Sequence, residues 1–517
     1  MAGRRRRGAA VTLPVSLPGQ GMGFGMLVLL GGSIIATGLP VWALLLGVST
    51  VFAVGGLAAG SISPAILSAL PLRIVGLLDN DLLQALPLYV FVGVLLQRLA
   101  VADAIDHTLE RALRCAGAAA GRSLAALGVG LLVAPMNGSV ASSASLLSRL
   151  VAPRLHGLPA ARALTLVSAA ATIGVVVPPS LVLILLGDAM MRAHTQASNL
   201  PGVAPGMALG AARIINTQDV FRAALLPAAG VLALWAALAW WLARPASTAA
   251  ADQAVEPPAP LPPGEAATAL VAVAVILALL SGVFLGKVFA VEAAACGGVL
   301  LLGYALLSRA LTPGQWREVL LDSLALSGAL FAMLVGATTF SLVFRLFGSD
   351  VVLASWVMTS GLGGQATAAL VLLFVGLSAL VLDAFEIIFV IVPIVAPALI
   401  ARLGDAQQAA VLLLLVLQLS FLIPPMGYAV MMVRARSGLP AVRTVALFKA
   451  LLPFVLAQLL LVVAVFFVPR LVHGLDEAAP VAAALSPADD ADLTRRIENM
   501  SRPEDDTASP AASGAAP

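Results

Sequence analysis

Charge is what this sequence has least of: Asp, Glu, Lys and Arg make up 11% of 517 residues, where soluble domains carry about 25%. Hydrophobic residues reach 61% and mean hydropathy is +1.03, so the chain is an all-α polytopic membrane protein rather than a water-soluble domain. Cysteine is almost absent. Cys115 and Cys296 lie far apart in apolar surroundings, which excludes a disulfide framework and a cysteine metal site. The four histidines, His107, His156, His194 and His473, lie outside the centres of apolar runs. No GxSxG with matching acid and histidine, no HExxH and no GxxxxGK[ST] occurs, so neither a hydrolase nor an ATP-driven pump is indicated. A net charge of +3 is too small to imply a nucleic-acid partner; the lipid bilayer is the partner that composition predicts.

A membrane span needs about 20 apolar residues. Candidates fall near 22–38, 40–60, 82–100, 117–134, 162–187, 220–243, 266–286, 288–308, 319–346, 366–402, 408–433 and 447–469. Residues 1–21 read as a basic leader, because Arg4 to Arg7 precede Pro14 and Pro18 without a convincing cleavage site. A linker over 245–265 holds six prolines and divides a first membrane repeat, 22–244, from a second, 266–472. The tail 473–517, rich in Ala, Pro and acids, is expected to be disordered. Arg434, Arg436, Arg443 and Lys449 mark one cytoplasmic loop, and Arg149, Arg154 and Arg162 another. Counting back through the spans places the N-terminus outside, against the vote of Arg4 to Arg7.

The strongest motif occurs twice. Val177-Pro178-Pro179-Ser180 and Ile423-Pro424-Pro425-Met426 both sit inside long apolar stretches. Proline lacks an N–H and its ring clashes with the preceding turn, so each pair predicts a helix broken at mid-depth, over about 162–187 and 408–433. Val-Ala-Pro recurs at 151–153 and 395–397, so shifts of 244 (397 less 153) and 246 (424 less 178) superimpose both signals. This is a degenerate internal repeat. Polar residues interrupt the two longest blocks, predicting hairpins that enter the membrane and turn back at about 117–155 and 366–402. Shifting by 244 lays Ser139 on Asp383.

Broken membrane helices in corresponding halves of a chain point to a transport site. The first tip places Asn137, Ser139, Ser142, Ser143 and Ser145 within nine residues; a helix starting after Gly138 would aim its positive end at an anion. The competing reading is that small residues merely allow close helix packing. Unwound backbone at the two breaks frees carbonyl oxygens, which with Thr172 or Ser420 make hard ligands for Na⁺. Asp383 and Glu386 read either as cation ligand, proton relay or neutral donor, or as hairpin-tip acids that reach interfacial water. Arg345 either pairs with an anionic substrate or, at a span end before Gly348 and Asp350, snorkels to headgroups. Asp188 reads as a helix-end residue.

These motifs resemble the large membrane subunit of tripartite ATP-independent periplasmic (TRAP) transporters, the DctM-like family, from about Gly21 to about Val472. The resemblance rests on Leu86 to Leu96, Thr172-Ile173-Gly174 through Pro178-Pro179-Ser180 to Gly187-Asp188, Phe340 to Arg345, Leu382-Asp383-Ala384-Phe385-Glu386-Ile387 and Gln418 to Gly427. It implies a sodium-coupled elevator of the ion-transporter superfamily, with two inverted repeats, in the bacterial inner membrane. It also implies two separate partners, a small four-span membrane subunit and a periplasmic binding protein that delivers an organic acid such as a 2-oxo acid or C4-dicarboxylate. By position, Asn137, Gly138 and Ser139 with Thr172 and Gly174 would form one cation site, and Asp383 and Ala384 with Ser420 and Gly427 the second. Substrate would lie between the tips, near Asn137, Gly138, Ser139, Ser142, Asp383, Ala384 and Arg345. The chain departs from the family in Pro135-Met136-Asn137-Gly138 at the first tip and in Val416 and Leu419, where relatives carry Asn and Thr. A one-component carboxylate or oxyanion carrier of the same superfamily, and a non-transporting structural membrane protein, are the alternatives.

Overall fold

The computed structural model describes residues 20–79, 81–137, 139–155, 158–178, 180–198, 215–249, 264–359, 361–379, 382, 384–423 and 427–475. Gly138, Pro179, Asp383, Pro424 and Pro425 lie outside the described residues, as do nearly all of the leader and tail and positions 250–263 of the linker; Asn137 is described by its backbone alone.

Among the described residues every regular element is a helix. Helices α1 (Gln20–Thr37) and α2 (Val41–Ala58) are followed by the short α3 (Pro64–Leu67) and α4 (Leu70–Leu78). Next come α5 (Asp81–Arg98), the amphipathic α6 (Val101–Ala112), α7 (Ala118–Val133) and α8 (Val140–Leu150). The first broken helix is α9 (Ala160–Val176) with α10 (Leu181–Ala197), and α11 (Thr217–Ala249) follows. Then come α12 (Glu265–Phe284), α13 (Ala290–Leu307), α14 (Pro313–Leu346), α15 (Ser349–Thr359) and α16 (Gly364–Ser378). A near-continuous segment holds α17 (Ala384–Glu386), a π-helical turn (Ile387–Ile391) and α18 (Val392–Leu403). The second broken helix is α19 (Ala406–Ser420) with α20 (Tyr428–Arg436), and α21 (Thr444–Phe467) and α22 (Arg470–His473) end the fold.

Among the described residues eight helices are long and apolar enough to cross a membrane, ten if the bent pairs α4–α5 and α9–α10 are each one span. Helix α10 runs to Ala197, past the end near 187 expected for the first broken helix. Helix α11 runs to Ala249, into the stretch read as linker. Asp188 is not at a helix end: it is buried in the middle of α10 and pairs with Arg192 one turn on, because a carboxylate at this depth requires a cation.

The helices divide into an inner and an outer set by what they bury. Only 17% of the α12 span is buried, against 78% for Ala384–Leu403 and 72% for Ala119–Met136. Leu270, Leu277, Leu300, Leu324, Phe374 and Leu460 face outward, as lipid-facing residues must. Every residue of α9 from Ala163 to Val176 is buried. Lipid tails are as apolar as leucine, so these inner helices gain from close approach and hydrogen bonds rather than from escaping water. Gly130 on α7 shows the close approach, since a Cβ there would lie 2.5 Å from the Ala170 carbonyl oxygen of α9. Trp235 Nε1 donates to the Phe454 carbonyl at 3.2 Å, tying α11 to α21. Gln408 Nε2 donates to the Val465 carbonyl at 2.9 Å, tying α19 to α21.

One end of the bundle is strongly basic. Arg149 donates to the Gln97 carbonyl, Arg122 to the Arg154 carbonyl, Arg162 to the Leu242 carbonyl and Arg436 to Ser145 Oγ. Helix α6 packs across this end and supplies the counter-charges. Asp106 lies 2.8 Å and Glu110 3.6 Å from Arg154, and His107 lies 2.5 Å from Glu265 at the start of α12. Burial pushes the Asp106 carboxyl up to about 6, against the opposing pull of Arg154.

Candidate functional site

The first break is built from its flanks. Helix α9 ends when Val177 turns extended ahead of the prolines, and α10 restarts on Ser180, whose Oγ accepts from the Leu183 N–H at 3.2 Å. The same hydroxyl donates to the Val175 carbonyl at 3.3 Å, so one side chain serves both sides of the gap. Against this gap sits the first hairpin tip, a 3-10 turn over Ala134–Asn137. Ser139 is extended and caps α8 by accepting from the Ser142 N–H at 3.1 Å. The helix therefore begins just after Gly138, as expected. Ser143 Oγ reaches the Ser139 carbonyl at 3.1 Å and the Ala134 carbonyl at 3.4 Å, closing the tip on itself.

Tip and break meet at Gly174. A Cβ there would lie 2.5 Å from both the carbonyl carbon and oxygen of Ala134 and 2.9 Å from Pro135 N, so only glycine admits the turn. The contact encloses a cavity of about 10 Å³ lined by Ala134, Pro135, Ser139, Ser143, Gly174 and Ser180, among others. That is about the room a single water needs. Thr172 stands two residues earlier, fully buried, with Oγ1 donating to the Ala169 carbonyl at 2.9 Å; it does not line the cavity.

The second break has the same order of parts and a different chemistry. Helix α19 ends at Ser420, whose Oγ donates to the Leu417 carbonyl at 2.6 Å, and α20 begins after Gly427, which has no side chain to cap it. The Ala429 N–H reaches back to the Phe421 carbonyl at 3.2 Å, so backbone does here what Ser180 does in the first break. Around Gly427 an added Cβ would meet the Phe421 and Ile423 carbonyl oxygens at 3.0 Å. On the second hairpin Ala384 and Glu386 are buried, and Glu386 has a partner. Glu386 is therefore not the solvated tip acid that the sequence allowed. The π-helical turn that follows is a feature often found at functional sites.

The two breaks touch through one buried chain of amides. Gln418 Nε2 donates to the Thr172 carbonyl at 3.4 Å, across a separation of 246 residues. Gln458 Nε2 donates to Gln418 Oε1 at 2.6 Å and to the Leu415 carbonyl at 3.3 Å. Both glutamines are fully buried.

Arg345 does not join the first tip. It lines a separate cavity of about 510 Å³ with Arg73, Asp188, Arg192, Thr338 and Ser341, bounded on one side by Ile388 and Phe389 of the π turn. Arg345 is half-buried in that lining. Arg73 and Arg192 were not singled out from sequence. Asp188 and Arg192 four apart on one helix are a detectable pair, but nothing local marks Arg73, which joins them through tertiary packing. No group of three or more His, Cys, Asp or Glu that could hold a metal ion occurs among the described residues.

The comparisons with known proteins agree with this architecture. The chain is 24% identical over 413 residues to the C4-dicarboxylate TRAP transporter large permease protein DctM of Pseudomonas aeruginosa, covering 79% of this chain and 89% of that one. In fold it is similar to the crystal structure of the Alcanivorax borkumensis YdaH transporter, with a TM-score of 0.54 at 15% identity over 78% of this chain and 88% of that one. The family described as "Tripartite ATP-independent periplasmic transporter, DctM component" matches residues 25–471. With its apolar spans, that match makes the protein a multi-pass inner-membrane transport component and not an enzyme. The chain belongs to the DctM component family of tripartite ATP-independent periplasmic transporters.

Proposed function

We propose that this chain is the large membrane subunit of a sodium-coupled transporter that imports an organic acid delivered by a periplasmic binding protein. A C4-dicarboxylate is the favoured substrate class, because the Pseudomonas aeruginosa relative carries that description. The observation that carries the coupling is the seating of the first hairpin tip on the first break through Gly174. The cavity it encloses is lined by Ser139, Ser143 and Ser180 and, among the described residues, by no ionisable side chain, a donor set suited to a hard monovalent cation. Sodium is cargo in this reading. At the second break backbone carbonyls around Gly427, with Ser420, would hold another ion.

The cavity of Arg73, Arg192 and Arg345 supports the carboxylate assignment. Three guanidinium groups face one carboxylate, Asp188, in its lining, leaving an excess of two positive charges by formal count, and guanidinium binds carboxylate bidentately. In an elevator mechanism the inner helices α7 to α10 and α16 to α20 would carry ion and substrate past the outer ones. A small four-span subunit would enlarge the outer set.

The decisive experiment is uptake of labelled C4-dicarboxylates and 2-oxo acids into proteoliposomes holding this chain and its small partner. It compares an inward Na⁺ gradient with and without the cognate binding protein. Uptake that needs both supports the tripartite, sodium-coupled reading. Uptake with the gradient alone replaces it with a one-component carrier, and uptake indifferent to sodium removes the coupling.

A further inference from the structure

A second basic cavity lies away from both breaks, at the basic end of the bundle. It measures about 130 Å³ and opens between four helices: Ser123 on α7, Arg162 and Thr165 on α9, Leu242 on α11, and Lys449 and Phe454 on α21 all line it. Its lining contains two cations and no acidic residue. Arg162 spends one N–H on the Leu242 carbonyl at 3.0 Å, leaving its other donors available. Lys449 is exposed and makes no hydrogen bond or ion pair among the described residues. Leucine, alanine, proline and phenylalanine make up the rest of the wall.

We infer that this cavity binds the phosphate of an anionic phospholipid, with its acyl chains against α11 and α21. Three observations favour a lipid over a free anion. Eight of the twelve lining residues are apolar, which suits an acyl chain better than a soluble phosphate. Trp240 and Trp241, immediately before Leu242 on α11, are exposed, and Phe448 beside Lys449 is exposed too. Aromatic side chains at that position mark the headgroup depth of a bilayer. The cavity also lies at the end that gathers Arg122, Arg149, Arg154, Arg162 and Arg436, which the positive-inside rule assigns to the cytoplasm, and anionic lipids are concentrated in the cytoplasmic leaflet. A headgroup held here would touch α7 and α9 on one side and α11 and α21 on the other. It would thus brace the helix that leads into the first break.

The test uses the full chain in detergent, titrated separately with phosphatidylglycerol, phosphatidylethanolamine and inorganic phosphate, with binding followed by native mass spectrometry and by thermal midpoint. Phosphatidylglycerol should bind and raise the midpoint, while phosphatidylethanolamine and inorganic phosphate should not. Replacing both cations, Arg162→Gln with Lys449→Gln, should weaken phosphatidylglycerol binding by roughly thirtyfold, the loss expected from two basic groups near a membrane surface. Lys449→Gln alone should give part of that loss without touching a structural contact, which keeps the test valid if the double variant folds poorly. Arg443→Gln, at the same end but outside the lining, should leave binding unchanged. Equal binding by parent and Lys449→Gln, an equal loss in Arg443→Gln, or a midpoint shift reproduced by inorganic phosphate would each overturn the lipid site.

Discussion

The two breaks are built from the same sequence signal and solve the same problem with different atoms. In the first, Ser180 caps the restarting helix and also reaches back to Val175, while Ser139 and Ser143 organise the facing tip. In the second, Gly427 offers no side chain, and the Ala429 N–H bonds the Phe421 carbonyl instead. Two prolines therefore dictate that the helix stops, and they leave open what satisfies the freed groups. Where a serine follows the prolines the gap is held by side chain and backbone together. Where Met-Gly follows, the cap position is a glycine, and among the described residues the backbone bond from Ala429 to Phe421 reaches across the gap.

The anchoring of the two hairpins differs in the same sense. The first hairpin is tethered at its base by charge, through Arg154 to Asp106 and Glu110 on α6. The second is tethered by Arg402 donating to the Val357 carbonyl of α15. Only the first tether can respond to pH.

The largest effect should come from Gly174→Val, because the added carbons would displace the backbone of Ala134 and Pro135. Loss of sodium-driven uptake and a destabilisation of about 1–3 kcal/mol are expected from overpacking of this kind. Gly427→Ala meets its nearest oxygens only at 3.0 Å and should retain measurable uptake in the same assay. Equal losses in the two variants would erase the distinction between the breaks.

Next in size, Ser139→Ala, which removes a hydroxyl from the cavity lining, should raise the sodium concentration for half-maximal uptake severalfold, and Ser420→Ala should raise it by less. Sodium titrations that stay superimposable on the parent for both would remove these hydroxyls from ion binding. Ser180→Ala removes the side-chain cap of α10 and should cost about 1 kcal/mol in chemical unfolding; the second break, uncapped from the start, has no equivalent to lose.

The smallest effect concerns Asp106, whose carboxyl titrates at about 6 in the folded protein against 3.8 for the free group. Between those values the folded state binds more proton than the unfolded one, so stability falls as pH rises through that window. Asp106→Asn should flatten this part of the profile of thermal midpoint against pH. A profile identical to the parent would show that the tether does not titrate there.

Much of this was legible in the sequence because membrane burial leaves a strong local record. Apolar runs located the spans, since every backbone group in lipid must be satisfied within a helix, and two prolines located the breaks, since their rings cannot continue one. A helix starting after Gly138 was readable at the first tip, whereas its cap by Ser139 came from the structure. Tertiary structure decided what has no local record. Arg73 reaches Arg192 and Arg345 only because α4, α10 and α14 converge. The carbonyl of Thr172 meets Gln418 only because the two halves pack against each other. A glycine at position 174 looks like any small residue until the tip of Ala134 and Pro135 is laid against it. Chain stiffness and hydrophobicity act over a few residues and can be read along the sequence; convergence of distant side chains depends on how helices pack, and no single segment contains it.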